Sequence, residues 1–131
     1  MSTNVGISRV RARRTGRPTL VGLCVGAVAG LATVTPASGF IKPWAACLIG
    51  VLASLFCYGC VTTATHRKWD DALDVWGVHG MGGALGSVLV GAFADESVGG
   101  VSASMELVGK QLAAVAFCAA YSYVVTLGAF Y

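Results

Sequence analysis

At 131 residues, 56% hydrophobic and 11% charged, the chain falls far below the roughly 25% of charged residues typical of soluble domains. Its formal charge of +3 hides an asymmetry: Arg9, Arg11, Arg13, Arg14 and Arg17 all precede the first apolar block, and the remainder is mildly acidic. These proportions exclude an ordinary water-soluble domain. They point to an all-α, polytopic membrane helix bundle, because the apolar residues come in long uncharged blocks rather than at amphipathic spacing.

Residues 1–17 form a basic arm. Beside a hydrophobic segment it reads as a topology signal or an anionic-lipid contact in preference to a nucleic-acid site. An Arg-rich start before an apolar run also has the form of a secretory signal, but three more apolar segments follow, so cleavage would still leave a membrane protein.

The first block runs from Leu20 to Val34 and ends at Thr35-Pro36-Ala37-Ser38-Gly39. A helix needs roughly 20 residues to cross a 30 Å hydrocarbon core, so this one is expected to span about 18–37, borrowing residues at both ends. Gly22, Gly26 and Gly30 make two overlapping G-x-x-x-G steps, which let helix backbones approach closely where lipid offers no hydrophobic reward for association.

The second block, Trp44 to Thr63, is entered through Lys42-Pro43 and predicts a helix over 43–64, with proline at its start and tryptophan at interface depth. Cys57-Tyr58-Gly59-Cys60 fits C-x-x-C, yet lacks the strand-turn-helix setting of a redox motif. With five cysteines in all, these residues read as small lipid- or core-facing groups.

The third block predicts a helix over 71–94 and the fourth one over 105–130. Four crossings put the N-terminal arm, the Arg67-Lys68 loop and the C-terminus on one side. That side carries seven basic residues against two, Lys42 and Lys110, on the other. The positive-inside rule makes it cytoplasmic, giving a multi-pass protein, expected in the plasma membrane, with both termini in the cytosol.

The third block is the most informative, because Asp70-Asp71-Ala72-Leu73-Asp74-Val75-Trp76-Gly77-Val78-His79-Gly80-Met81-Gly82-Gly83 carries acids and an imidazole into an apolar helix. Ionisable groups there are functional suspects by default. Asp71 and Asp74, three apart, either cap the helix start or act directly in transport. His79 is either a hydrogen-bonded structural residue or a pore residue, since a neutral imidazole donates from one nitrogen and accepts at the other. Gly82 and Gly86 form another G-x-x-x-G step on the face expected to hold His79.

Two stretches resemble one family. Gly26-Ala27-Val28-Ala29-Gly30-Leu31-Ala32-Thr33-Val34-Thr35-Pro36-Ala37-Ser38-Gly39-Phe40 is similar to the G-A-[VI]-A-G-L-x-x-[IV]-T-P-A-[AS]-G-[FY] stretch of the Amt/Mep/Rh ammonium transporters. The Asp70 to Gly83 run resembles their D-D-x-x-D-[VI]-[FW]-[GA]-[VI]-H-G-x-[GC]-G signature. The resemblance implies the last four helices of an eleven-helix subunit that assembles as a trimer with a pore through each subunit. It also implies that His79 is the second histidine of a pore pair, that Asp71 and Asp74 lie at the cytoplasmic pore end, and that Thr35 faces the pore.

The family's other pore histidine has no counterpart here, because His66, the only other histidine, lies in a polar loop. A fragment lacking a complete pore is therefore expected. Its substrate would be ammonium or ammonia, with no cofactor, and its partners membrane lipid and ammonium transporter subunits in a homo- or hetero-oligomer. The alternative is a non-transporting membrane protein that modulates full-length subunits. A third reading, a small proton-coupled exporter using Asp74 or His79, fits poorly with the glycines around His79. No activated nucleophile, metal cluster or phosphate loop points to an enzyme.

Overall fold

The computed structural model describes residues 20–71 and 73–131, with the side chains of residues 21–23 left outside that description. The basic arm and the packing expected of Gly22 therefore lie outside the described residues. Among the described residues every regular element is helical, without a strand. In order they form α1 (Leu20–Val34), a 3₁₀ turn (Thr35–Ala37), α2 (Pro43–His66), a π segment (Trp76–Gly80), α3 (Met81–Phe93), a one-turn helix α4 (Glu96–Gly99) and α5 (Met105–Phe130).

Local chemistry explains most of these boundaries. Pro36 tightens the end of α1 into the 3₁₀ turn, and Gly39 then takes φ +86°, a left-handed conformation that costs glycine little. Pro43 opens α2 at the helix position where its missing N–H goes unmissed. The Ser104 hydroxyl accepts the Leu107 N–H at 3.0 Å and caps α5.

Among the described residues two helices, α2 and α5, are long and apolar enough to cross a membrane. α1 has 15 residues, extended by the three of the 3₁₀ turn. The π segment and α3 run on from one another with five and thirteen residues.

The third helix departs from its expected extent of 71–94. It begins only after Asp74, whose φ of +57° lies outside helical geometry, so Asp71 and Asp74 are not neighbours on a helix surface. At its other end Ala94 is already extended. Its first turns are π rather than α, closed by the Met81 N–H donating to the Trp76 carbonyl, an i→i+5 bond of the kind found mostly as single wide turns and often at functional sites.

One face of α2 is buried along its whole length, through Ala45, Ile49, Ala53, Cys57, Val61 and Ala64, a spacing of four and then three that marks one helical stripe. Two apolar clusters use it. Ala37, Ile41, Ala45, Ile49, Val90 and Ala94 pack at one end, and Ala29, Cys57, Val61 and Val78 at the other.

Close approach between backbones is made by glycines of the third segment. A Cβ on Gly82 would lie 2.8 Å from Thr33 Oγ1, and one on Gly86 only 1.9 Å from the Thr33 carbonyl oxygen. A Cβ on Gly91 would meet Val108 at 2.7 Å, so α5 rests directly on α3 there. Gly26 and Gly30 differ from the expectation: a Cβ at either would meet nothing within 4 Å, so no close helix crossing uses them among the described residues.

The loops at one end are tied together. Asp95 donates its N–H to the Phe40 carbonyl at 2.8 Å, and its carboxylate meets Lys42 Nζ at 2.7 Å. That carboxylate also accepts the Ser97 N–H, starting α4.

Candidate functional site

The site is built around the start of the π segment. The first turn of any helix exposes N–H groups that have no partner within it. Here Asp71 supplies acceptors for two of them: Oδ1 takes the Val75 N–H at 2.8 Å and Oδ2 the Trp76 N–H at 2.9 Å. Asp71 is thus a capping residue standing just outside the helix.

Asp74 is buried, with 9% of its surface exposed. Its backbone donates to the Asp71 carbonyl and accepts the Val78 N–H at 2.9 Å. Aspartate tolerates the left-handed conformation better than most residues, which suits this position between cap and helix. The Trp69 and Trp76 rings meet edge to face, 4.9 Å between centroids, and clamp the incoming loop to the first π turn.

Gly77 and Val78 are buried against Val61, and Gly82 and Gly86 against Thr33, whereas His79 is exposed. It lines an open cleft of about 320 Å³ with Val28, Leu31, Ala32 and Thr35, residues of α1 and its terminal turn, the helix on which Gly82 and Gly86 also pack.

Thr35 donates its hydroxyl to the Leu31 carbonyl at 2.7 Å, which leaves its oxygen free to accept. The cleft therefore offers an imidazole and a hydroxyl oxygen on an otherwise apolar wall. Of the residues singled out in the sequence, His79 and Thr35 come together here. Asp71 stays at the head of the helix carrying His79, Asp74 is buried beside it, and His66 does not line the cleft.

Val28, Leu31 and Ala32 were not singled out. They stand at three- and four-residue steps leading to Thr35, so a stripe counted back from that threonine would have found them. Thr33 was also missed. It is fully buried, donates to the Ala29 carbonyl at 2.9 Å and lies 3.9 Å from Cys57 Sγ. Only its contacts across the helix interface distinguish it from other apolar-block threonines.

A sequence model described as the Ammonium Transporter Family matches residues 1–131. This chain belongs to the Ammonium Transporter Family. Among its relatives, ammonium transporter Amt1 of Archaeoglobus fulgidus is 41% identical over 86% of this chain and 30% of its own length. Ammonium transporter MEP2 of Saccharomyces cerevisiae is 40% identical over 87% of this chain and 25% of its own.

Solved structures of ammonium transporter family members agree in fold. A crystal structure of a Mep2 mutant from Candida albicans superposes with a TM-score of 0.77 at 34% identity, covering 89% of this chain and 29% of that one. For Saccharomyces cerevisiae Mep2 the TM-score is 0.71 at 38% identity, over 93% of this chain and 30% of that one. The chain spans less than a third of the length of the curated relatives it matches.

Proposed function

We propose that this chain forms one wall of a pathway that conducts ammonium or ammonia across a membrane, with His79 and Thr35 facing the permeating nitrogen. The observation that carries this reading is the exposure of His79 into a cleft shared with Thr35. The names of the relatives, ammonium transporters from archaea, bacteria and fungi, support the choice of substrate.

Four passes fit this reading. α2 and α5 have spanning length. The eighteen residues of the π segment plus α3 rise about 27 Å at about 1.5 Å each, close to the roughly 30 Å of a hydrocarbon core, and α1 with its 3₁₀ turn matches them. Seven basic residues beside the termini and the Arg67-Lys68 loop then orient both termini toward the cytosol.

The chemistry of the wall supports conduction of a neutral species. Val28, Leu31 and Ala32 offer no counter-charge, so an ammonium ion would lose hydration there without compensation, whereas ammonia loses far less. The imidazole of His79 can accept from or donate to the passing nitrogen, and the Thr35 oxygen can accept. Asp71 and Asp74 stand at the cytoplasmic end of this segment. Because the cleft is open, its other wall comes from further helices, either of a longer polypeptide or of a neighbouring subunit.

A second reading rests on α5, none of whose residues is buried. With Phe117, Tyr121, Val124 and Phe130 exposed, it offers a surface for inserting among full-length transporter subunits and modulating them without transport.

Methylammonium uptake separates the two, measured in cells stripped of other ammonium transporters at matched membrane expression. Uptake above the empty vector that is lost in His79→Ala supports the pathway. Uptake at the vector level, with co-purification of a full-length homologue, supports the modulating partner.

A further inference from the structure

His79 is held between two anchors, and Cys57 belongs to both. Immediately before it, Val78 is buried in the cluster with Ala29, Cys57 and Val61. Three residues after it, Gly82 faces Thr33 and Cys57: a Cβ there would lie 2.8 Å from Thr33 Oγ1 and 3.1 Å from Cys57 Sγ. We propose that Thr33 and Cys57 are positioning residues, which act through Val78 and Gly82 to set where the His79 imidazole stands against Thr35. The proposal rests on the cleft being the conducting wall argued above, and it adds two residues that do not themselves line it.

The polar contact at this node has a direction. The Thr33 hydroxyl has a single hydrogen and gives it to the Ala29 carbonyl at 2.9 Å. In its 3.9 Å contact with Cys57 the thiol is therefore the donor and the hydroxyl oxygen the acceptor. Both side chains are buried. A buried hydroxyl costs free energy unless it is hydrogen-bonded, and the bond to its own helix already meets that requirement. What the second contact adds is a link from α1 to α2, made where Gly82 brings α3 against both.

The node lies directly behind the cleft. On α1, Ala29 and Thr33 are buried while Val28, Leu31, Ala32 and Thr35 line the cleft. Ala32 serves both sides, since it also packs against the cluster containing Cys57 and Val78. From Gly82 back to His79 is about 4.5 Å at the α-helical rise, and Thr33 is closer still to Thr35 along the chain. A shift of α3 against α1 at the node is carried to the imidazole and the hydroxyl, because packed interiors have few voids to absorb it. Neither residue is fixed by the shared motifs: Thr33 falls at an open position of the first, and Cys57 lies outside both.

The test labels the histidine ring nitrogens of the full 131-residue chain in lipid nanodiscs and reads their magnetic resonance. The chain has two histidines, so His66, at the end of α2, reports folding while His79 reports the node. Thr33→Val sets a methyl group against Gly82 in place of the hydroxyl, and Cys57→Ala removes the sulfur without adding an atom. Each is expected to shift the His79 resonances and leave those of His66 in place. Thr33→Ser and Cys57→Ser keep a hydroxyl at the node and should return His79 to its wild-type position. In the methylammonium uptake assay, Thr33→Val and Cys57→Ala should change the ammonium concentration that halves uptake by roughly threefold, a quantity that expression level does not move.

Unshifted His79 resonances in folded Thr33→Val and Cys57→Ala overturn the proposal, and so do shifts of equal size in the two serine variants. If Thr33→Val loses the His66 signal and with it the fold, Cys57→Ala decides. Uptake at the vector level by the wild-type chain would refute the conducting wall and leave the node to be decided by the resonances, which need no transport.

Discussion

The Asp71 carboxylate holds the Trp76 N–H at 2.9 Å, so an acid that looks poised to handle a cation instead fastens the start of the segment that carries His79. Its second oxygen holds the neighbouring Val75 N–H. Loss of a side-chain cap costs about 1 kcal/mol, up to about 2. Asp71→Ala should therefore lower the thermal midpoint of the detergent-purified chain and Asp71→Asn should lower it less, because its amide oxygen keeps one acceptor. Equal midpoints for all three proteins would refute the capping role.

Glycines of identical spacing should differ in what they tolerate. At Gly86 a Cβ would sit 1.9 Å from the Thr33 carbonyl oxygen, while at Gly30 it would meet nothing within 4 Å. Overpacking typically costs about 1–3 kcal/mol. Gly86→Ala should lower the thermal midpoint and folded yield, and Gly30→Ala should leave both unchanged. The reverse order would show that α1 and α3 do not cross at Thr33.

The Lys42–Asp95 bridge predicts a dependence on acid. Hydrogen bonding from Lys42, followed by that from Ser97, lowers the Asp95 carboxyl from 3.8 to about 2. A depressed carboxyl contributes stability that is complete above its unfolded pKa and is lost as pH falls through the folded one. That contribution should hold above about pH 4 and fade toward pH 2. Both side chains are partly exposed, so salt should weaken it. Lys42→Met should move the Asp95 titration upward, read by NMR of the carboxyl carbon.

Thr35 offers a sharper probe of the cleft than His79. Thr35→Ser keeps the hydroxyl that bonds the Leu31 carbonyl, whereas Thr35→Val keeps the shape and loses the oxygen. If that oxygen receives the permeating nitrogen, methylammonium uptake by the complete assembly should survive in the serine variant and fall severalfold in the valine variant at equal expression. Equal uptake by both would remove Thr35 from the pathway.

Much of this molecule was legible one residue at a time. Uncharged runs located the helices, Pro43 marked one of their starts, and the aspartates, His79 and the Thr35-Pro36 turn pointed to the family. These features are local: a missing N–H and the absence of charge act over a few residues, so sequence carries them directly. What required the tertiary structure was the direction each side chain takes. Counting at 3.6 residues per turn put His79 on one face with Gly82 and Gly86, but only the packing shows that the glycines lie against Thr33 while His79 opens into the cleft with Thr35. Likewise Gly30 and Gly86 are chemically identical, and only the presence of a neighbouring backbone at one of them makes a methyl group intolerable there.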